Sequence, residues 1–384
     1  MALEGGLLGG GTGGGTGGGT GGGTGGGTGG GTGGGTGGGV RGSVWGDEYA
    51  TPLHVEALMR NRGGITDFKD STVRNKRQLT RDDESPLMRW DPWVRSCVVA
   101  QELVSCMKFD LRRAPQVISL EFAIPRANDS KGYGRVNVVR PPREVFEAQV
   151  KKVLSWAELR EERMAEIIAQ IEDLACFWGS ILPIQTDRLR HTRELIEAVN
   201  QFVIFAQMRF KHEFACWRPN DLSVQVQPIV TTPGHGSFPS GHCTQSYAVY
   251  ETLRALLNAT KPGSQAFNLQ CRRLAARIAT NRVIAGVHFP VDNLVGRFLG
   301  TALGQYFAYV AGGTTSVWMH GTFDGRKLKG EEEFLPNDFS TAPGDHGYYT
   351  IDEARRTPAP AAKSAVQVLW QEARKECSHL ALLF

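Results

Sequence analysis

Three short stretches hold residues that could do chemistry together. The first is FPSGHCTQ, residues 238–245, which sets a serine, a glycine and a histidine in succession where an amphipathic run (YAVYETLRALL) begins. Pro239 cannot lie in a helix interior and serine is a favoured N-cap, so Ser240 reads as the cap and Gly241 and His242 as the first turn. Such a turn aims free backbone N–H groups and the positive end of the helix dipole at whatever lies in front, which suits an anion. The second is KHEFACWRP, where Lys211 and Arg218 stand seven apart, nearly two helical turns, on one face before Pro219 ends the hydrogen bonding. The third is NRVIAGVHFPVD, where Arg282 precedes His288 by six and Asp292 follows it by four. Pro290 fits the first turn of a new helix, placing His288 at its entrance and Asp292 within reach of an imidazole nitrogen.

Each piece alone is commonplace: two cations on one face are usually solvated, and a lone histidine is usually structural. Together they supply two arginines, a lysine, a hydroxyl, backbone amides and two histidines, one with a carboxylate to orient it. That inventory suits a tetrahedral or trigonal-bipyramidal oxyanion, because guanidinium forks bind its oxygens bidentately and helix termini add amides.

In these residues the chain resembles the superfamily of type 2 phosphatidic acid phosphatases, bacterial class A acid phosphatases and vanadium-dependent haloperoxidases. Its signature, K-x6-RP, PSGH and SR-x5-H-x3-D, is met by Lys211, Arg218 and Pro219, by Pro239 to His242, and by Arg282, His288 and Asp292. Asn281 stands where the pattern has serine, and the resemblance covers roughly residues 145–312. It implies an all-α helical bundle of the haloperoxidase/acid-phosphatase type. Lys211, Arg218, Ser240, Gly241 and Arg282 would bind the equatorial oxygens. His288 would be the axial group, either a phosphohistidine nucleophile or the single protein ligand to vanadium. His242 would be the acid/base opposite, and Asp292 would hold the tautomer of His288.

The signature does not separate the two chemistries, since vanadate mimics phosphate in charge and five-coordinate geometry. His235, seven before His242 in TPGHGSFPSGH, stands where bromide-oxidising members also carry histidine. That resemblance makes a vanadate-dependent haloperoxidase the leading expectation, with vanadate as cofactor, hydrogen peroxide and halide as substrates, and His235 beside the anion. The alternative is a phosphoric monoester or lipid phosphate hydrolase with a phosphohistidine and no cofactor. The short spacings between motifs, and Met208 where several haloperoxidases have tryptophan, look more like acid phosphatases. A non-enzymatic helical anion-binding module is a third reading, against which the oriented acid/base set argues.

The elements that must position these residues are helical. From Pro141 onward REVFEAQVKKVLSWAEL, AEIIAQIEDLACFWGSIL, RELIEAVNQFVIFAQMRFKHEFACW, SGHCTQSYAVYETLRALL, FNLQCRRLAARIATNRVIAG and VDNLVGRFLGTALGQYFAYV place apolar residues at three-and-four spacing, with no comparable set of alternating strands. The expected organisation is a Gly/Thr leader over 1–40, a mixed extension over 41–140, a helical catalytic domain over 141–312 and a polar tail over 313–384 with one helix, KSAVQVLWQEARKECSHLALL. The leader repeats threonine every fourth residue from Thr12 to Thr36. That period excludes collagen, and so glycine-rich a tract cannot offset its ordering entropy, so it reads as disordered. In the extension, Trp90 and Trp93 read as core or packing residues.

A net charge of +4, from 43 basic and 39 acidic residues without a dense patch, argues against nucleic acid. Seven scattered cysteines without a CxxC pair read as buried free thiols in a reducing compartment. MALEGGLLGGG has no basic n-region, and the best apolar stretch, FLGTALGQYFAYVAGG, is short and carries Gln305. A soluble, cytoplasmic protein with no membrane span and possible homo-oligomers is the expectation.

Overall fold

The structure, a computed structural model, describes residues 52–65, 87–113, 116–123, 134–172, 174–184, 188–258, 265–312, 320–352 and 364–380. The Gly/Thr leader lies outside the described residues. The chain divides into two compact units, Met1–Arg95 and Ser96–Phe384. The first contains helix α1 (Pro52–Ile65), and α2 (Pro92–Val104) crosses the boundary between units. Trp90 and Trp93 are exposed rather than packed in a core.

The second unit is rich in helix but not purely α. A six-stranded sheet runs in the order β1-β2-β3-β4-β6-β5. Strands β1 (Met107–Arg113), β2 (Gln116–Phe122) and β3 (Gly134–Val139) form an antiparallel meander, while β4 (Gly321–Asp324), β5 (Gly344–Asp345) and β6 (Tyr349–Ile351) come from beyond the helices. β3 and β4 join parallel, with Val136 opposite Gly321. Val117, Ile118, Val136, Val138 and Val139 suit a pleated surface, and Ile118, Leu120, Phe122, Val136 and Val138 are buried on it. A polar ladder crosses the centre: Ser119 Oγ donates to Asn137 Oδ1 at 2.7 Å, and Asn137 Nδ2 to Thr322 Oγ1 at 3.1 Å. The buried Ser119 and the half-buried Asn137 and Thr322 thus satisfy one another.

The helices that follow the meander are α3 (Arg143–Trp156), α4 (Arg160–Glu172), the single turn α5 (Ala175–Trp178), α6 (Arg190–Phe214), the turn α7 (Pro219–Leu222), α8 (Gly241–Asn258), α9 (Gln265–Ile284) and α10 (Pro290–Val310); α11 (Ala365–Leu380) closes the chain. The tightest contact is between α8 and α10. Gly296, Gly300 and Gly304, one per turn of α10, let the two backbones meet. A Cβ at Gly300 would lie 2.4 Å from the Thr244 carbonyl oxygen, and one at Gly304 2.6 Å from that of Ala248. No side chain fits there, and this close approach sets the first turn of α8 beside the first turn of α10.

Phe238, at the head of the second motif, packs against Phe146 of α3 (6.1 Å between centroids), Phe214 at the end of α6 (5.5 Å) and Phe323 of β4 (6.3 Å). Flanking sheet and helices therefore converge on the loop before the PSGH turn. The Phe238–Pro239 bond is cis. Of the cysteines, all free, Cys216, Cys243, Cys271 and Cys377 are buried and Cys97 and Cys176 exposed.

Candidate active site

Lys211 sits in the last turn of α6, but Arg218 does not share its helix. α6 ends at Phe214, where Ala215 turns left-handed (φ 46°) and returns its N–H to the Lys211 carbonyl. The expected common face gives way to an extended segment that swings Arg218 back across the pocket; the residues still meet. Arg218 is fixed by neutral carbonyls: Nε donates to His235 O at 3.1 Å, NH1 to Val287 O at 2.6 Å, and NH2 to His235 O at 3.0 Å. Lys211 Nζ donates to Gly236 O (3.0 Å) and Ser237 O (3.1 Å). Both cations are buried. Burial, and then the neighbouring Arg218, hold the Lys211 ammonium well below its ordinary value, while burial brings Arg218 down to about 10.

Ser240 occupies the cap position of α8, accepting the Thr244 N–H at its carbonyl (3.0 Å), but its buried hydroxyl bonds to nothing in the structure. The cap expectation is half met: the position is right, and the hydroxyl stays available. Ser240 N–H donates to the Asp292 carbonyl at 2.9 Å, which ties the two motif turns together.

Asp292 lies in the first turn of α10 behind Pro290, where its Oδ2 accepts the Phe289 N–H at 2.9 Å. The same oxygen meets His288 Nδ1 at 2.9 Å, and Ser237 Oγ donates to Oδ1 at 3.4 Å. Carboxylate and imidazole stand as an ion pair would, yet both are fully buried among Lys211 and Arg218. Burial, then Arg218 and Lys211, hold His288 well below its ordinary value, so the imidazole is neutral. Its proton belongs on Nδ1, facing the carboxylate, and the lone pair on Nε2 faces Arg218 NH1 at 3.1 Å. Burial pushes the Asp292 carboxyl up to about 7, against the Phe289 N–H and Lys211, which pull it down.

His242 points its Nε2 at the Gln170 backbone oxygen, 3.0 Å away. Burial, and then Arg282, hold it well below its ordinary value. Arg282 is fully buried and brought down to about 9 by that burial; its NH2 donates to Gln170 Oε1 (2.8 Å) and Ile167 O (3.1 Å). His235 joins the group through Nδ1, 3.1 Å from Arg218 NH2, and burial lowers it to about 4. Gly241 opens α8 where a Cβ would lie 3.3 Å from Gln207 Nε2. The eight motif residues and His235 therefore lie close together in one largely buried cluster.

Within it the hydroxyl of Ser240, Nε of Arg282 and Nε2 of His235 are buried without a hydrogen-bond partner. Three cations stand beside the Asp292 carboxyl, with Asp221 beside the backbone of Arg218 as the second acidic group. Such a surplus, with unsatisfied donors, is stable only with an anion or its equivalent nearby.

Residues 195–315 match the family model of the PAP2 superfamily. The chain matches no curated protein. Among solved structures it is similar to the first transmembrane PAP2 type phosphatidylglycerolphosphate phosphatase from Bacillus subtilis, at 22% identity and a TM-score of 0.33, over 44% of this chain and 83% of that one. Beside a neighbour described as transmembrane, the expectation of a soluble, cytoplasmic protein with no membrane span is withdrawn. Among the described residues no helix is long and apolar enough to cross a membrane.

Sequence reasoning missed Ser237, Gln207 and above all Gln170, which lies on α4, far from every motif. Its only trace in the sequence is indirect: Asn281, the one departure from the signature, donates from Nδ2 to Gln170 Oε1 at 3.1 Å.

Proposed function

We infer that the domain hydrolyses phosphoric monoesters through a phosphohistidine at His288. The observation that carries this reading is the His288–Asp292 contact at 2.9 Å, which leaves an unprotonated Nε2 facing a cationic pocket. The ester's phosphoryl oxygens would take the place of the neutral carbonyls now around Arg218, Arg282 and Lys211, and use the free Ser240 hydroxyl. The Nε2 lone pair attacks phosphorus as the bond to the ester oxygen breaks; His242 delivers a proton to that oxygen, and the alcohol departs. His242 is neutral in the anion-free pocket, and the negative phosphate beside it favours the imidazolium it needs as an acid. Neutral again, it takes a proton from water, which attacks phosphorus and releases phosphate from His288. Asp292 stabilises the positive imidazole of the intermediate.

The match of residues 195–315 to the PAP2 superfamily model, with the short spacings between motifs, supports this reading over the vanadate-dependent haloperoxidase expected from His235. Orthovanadate fits the same donors, with His288 Nε2 as the group to hold it, and would supply peroxide activation when bound. Steady-state hydrolysis of p-nitrophenyl phosphate, with chemical quench to trap an acid-labile, base-stable phosphoenzyme, tests the proposal. Turnover and trapping should both vanish in His288→Ala. Phosphate release unchanged in that variant, or peroxide-dependent bromide oxidation by vanadate-loaded protein without ester hydrolysis, would sink it.

A further inference from the structure

The last turns of α4 reach into the anion pocket. Gln170 is completely buried and makes two contacts there that a phosphate oxygen could make: Oε1 accepts from Arg282 NH2 at 2.8 Å, and the backbone oxygen meets His242 Nε2 at 3.0 Å. Ile167 O adds a second bond to the same guanidinium nitrogen, at 3.1 Å. All three oxygens belong to the C-terminal half of a helix, whose dipole presents partial negative charge, while α8 presents its positive end to the same space. A neutral helix end is thus arranged as an anion would be.

The arrangement is clamped. Asn281 Nδ2 donates both to Gln170 Oε1 (3.1 Å) and to Glu166 Oε2 (3.0 Å), and Asn281 Oδ1 accepts from Arg163 NH1 at 3.3 Å. Arg277 Nε donates to Glu166 Oε2 at 2.9 Å and holds that carboxylate below its usual range. Arg163, Glu166 and Gln170 are three and four apart, one face of α4. A serine at 281, the residue of the signature, has one hydroxyl and cannot hold all three.

We propose that the C-terminal end of α4 is a built-in competitor of phosphate, with Gln170 as the residue that sets the pocket's affinity for the phosphoryl group and Asn281 as its clamp. Phosphate competes with Gln170 for the NH2 of Arg282, the nitrogen that completes a bidentate fork with the free Nε, and a leaving-group oxygen must displace the Gln170 backbone oxygen from His242. The inference rests on the anion-pocket reading above. Gln170 Nε2 is buried without a hydrogen-bond partner, while its oxygens already occupy Arg282 NH2 and His242 Nε2, two of the groups that the anion needs.

The test is calorimetric titration of the full chain with inorganic phosphate at pH 7.5, for wild type, Gln170→Ala, Gln170→Glu and Asn281→Ser, with melting curves as a check on folding. Gln170→Ala should bind phosphate about tenfold more tightly, since one charge-assisted hydrogen bond no longer opposes the ligand. Asn281→Ser should shift affinity the same way, and it carries the test should the alanine variant fail to fold. Gln170→Glu, which gives Arg282 an internal carboxylate, should bind more than tenfold more weakly. Equal or weaker binding by both Gln170→Ala and Asn281→Ser would overturn the proposal. The same samples are assayed with p-nitrophenyl phosphate. Tighter phosphate binding without turnover leaves α4 as the competitor and removes the phosphatase, whereas turnover with unchanged affinities does the reverse.

Discussion

Asp292 offers the most discriminating perturbation, because the geometry predicts different losses for two substitutions. Both donors that matter, His288 Nδ1 and the Phe289 N–H, converge on one oxygen, Oδ2, each at 2.9 Å, while Oδ1 faces only the Ser237 hydroxyl at 3.4 Å. Asparagine can keep its oxygen at the Oδ2 place and turn its NH2 toward Ser237, whose hydroxyl can rotate to accept. The tautomer of His288 survives, and only the negative charge is lost. A charge-assisted hydrogen bond is roughly twice as strong as a neutral one, so the loss at a positive imidazole is about 1.5–2.5 kcal/mol, or ~10- to 70-fold in kcat. Alanine removes the acceptor, frees the imidazole tautomer and leaves the Phe289 N–H buried without a partner. In a comparable triad asparagine alone lowers kcat by about 10⁴ because the histidine tautomer is lost; here alanine loses the tautomer, and ~10³ or more is expected for it. The assay is steady-state kcat on p-nitrophenyl phosphate with phosphate affinity measured alongside. An Asp292→Asn variant as inactive as Asp292→Ala would refute the single-oxygen argument. An alanine variant within tenfold of wild type would remove Asp292 from the mechanism.

Three further predictions follow from burial and packing. Because the Asp292 carboxyl titrates near 7 in the free pocket and must be ionised to work, kcat/KM should fall as pH drops below about 7, and Asp292→Asn should lose that limb; an unchanged limb would assign it elsewhere. His235 is neutral in the fold down to about 4 but titrates near 6.5 when unfolded, so between these values the unfolded chain binds more protons and stability rises with pH. This contribution is complete above 6.5 and lost as pH falls to about 4, so His235→Asn should flatten the melting temperature's rise over that window, and an unaltered slope would refute it. Gly300→Ala should gain about 1 kcal/mol of helix propensity but lose more, since the added carbon would lie 2.4 Å from the Thr244 oxygen; net destabilisation of about 2 kcal/mol by urea is expected, and a stabilised variant would mean that α8 and α10 separate freely.

The pocket was legible because its parts are local. Pro-Ser-Gly-His at a helix start and Arg-x5-His-x3-Asp across another start fix geometry within one or two turns, so spacing alone brings Asp292 to His288. Lys211 and Arg218 met in the pocket for a reason the spacing did not give, since the left-handed Ala215, not an unbroken helix, sets their approach. The sheet was hidden for other reasons. β5 and β6 are two and three residues long, and the β3–β4 pairing joins segments far apart in sequence, whereas the clean alternation of β1, MKFDLRR, was a strand signal passed over in a turn-rich region. Gln170 left no pattern of its own beyond the Asn281 departure, because a glutamine on an amphipathic helix reads as surface until the helix is docked.

The β3–β4 pairing also bears on the order in which the protein takes shape during synthesis. Val136 must wait for Gly321, and with chain growth of about 5–20 residues per second the central strand of the sheet has an open edge for roughly 10–40 s. The helical signature region is complete before that edge is covered. A chain stopped after α10 would therefore hold every motif residue yet expose an unpaired edge of a valine-rich strand, and should self-associate rather than accumulate as an active monomer.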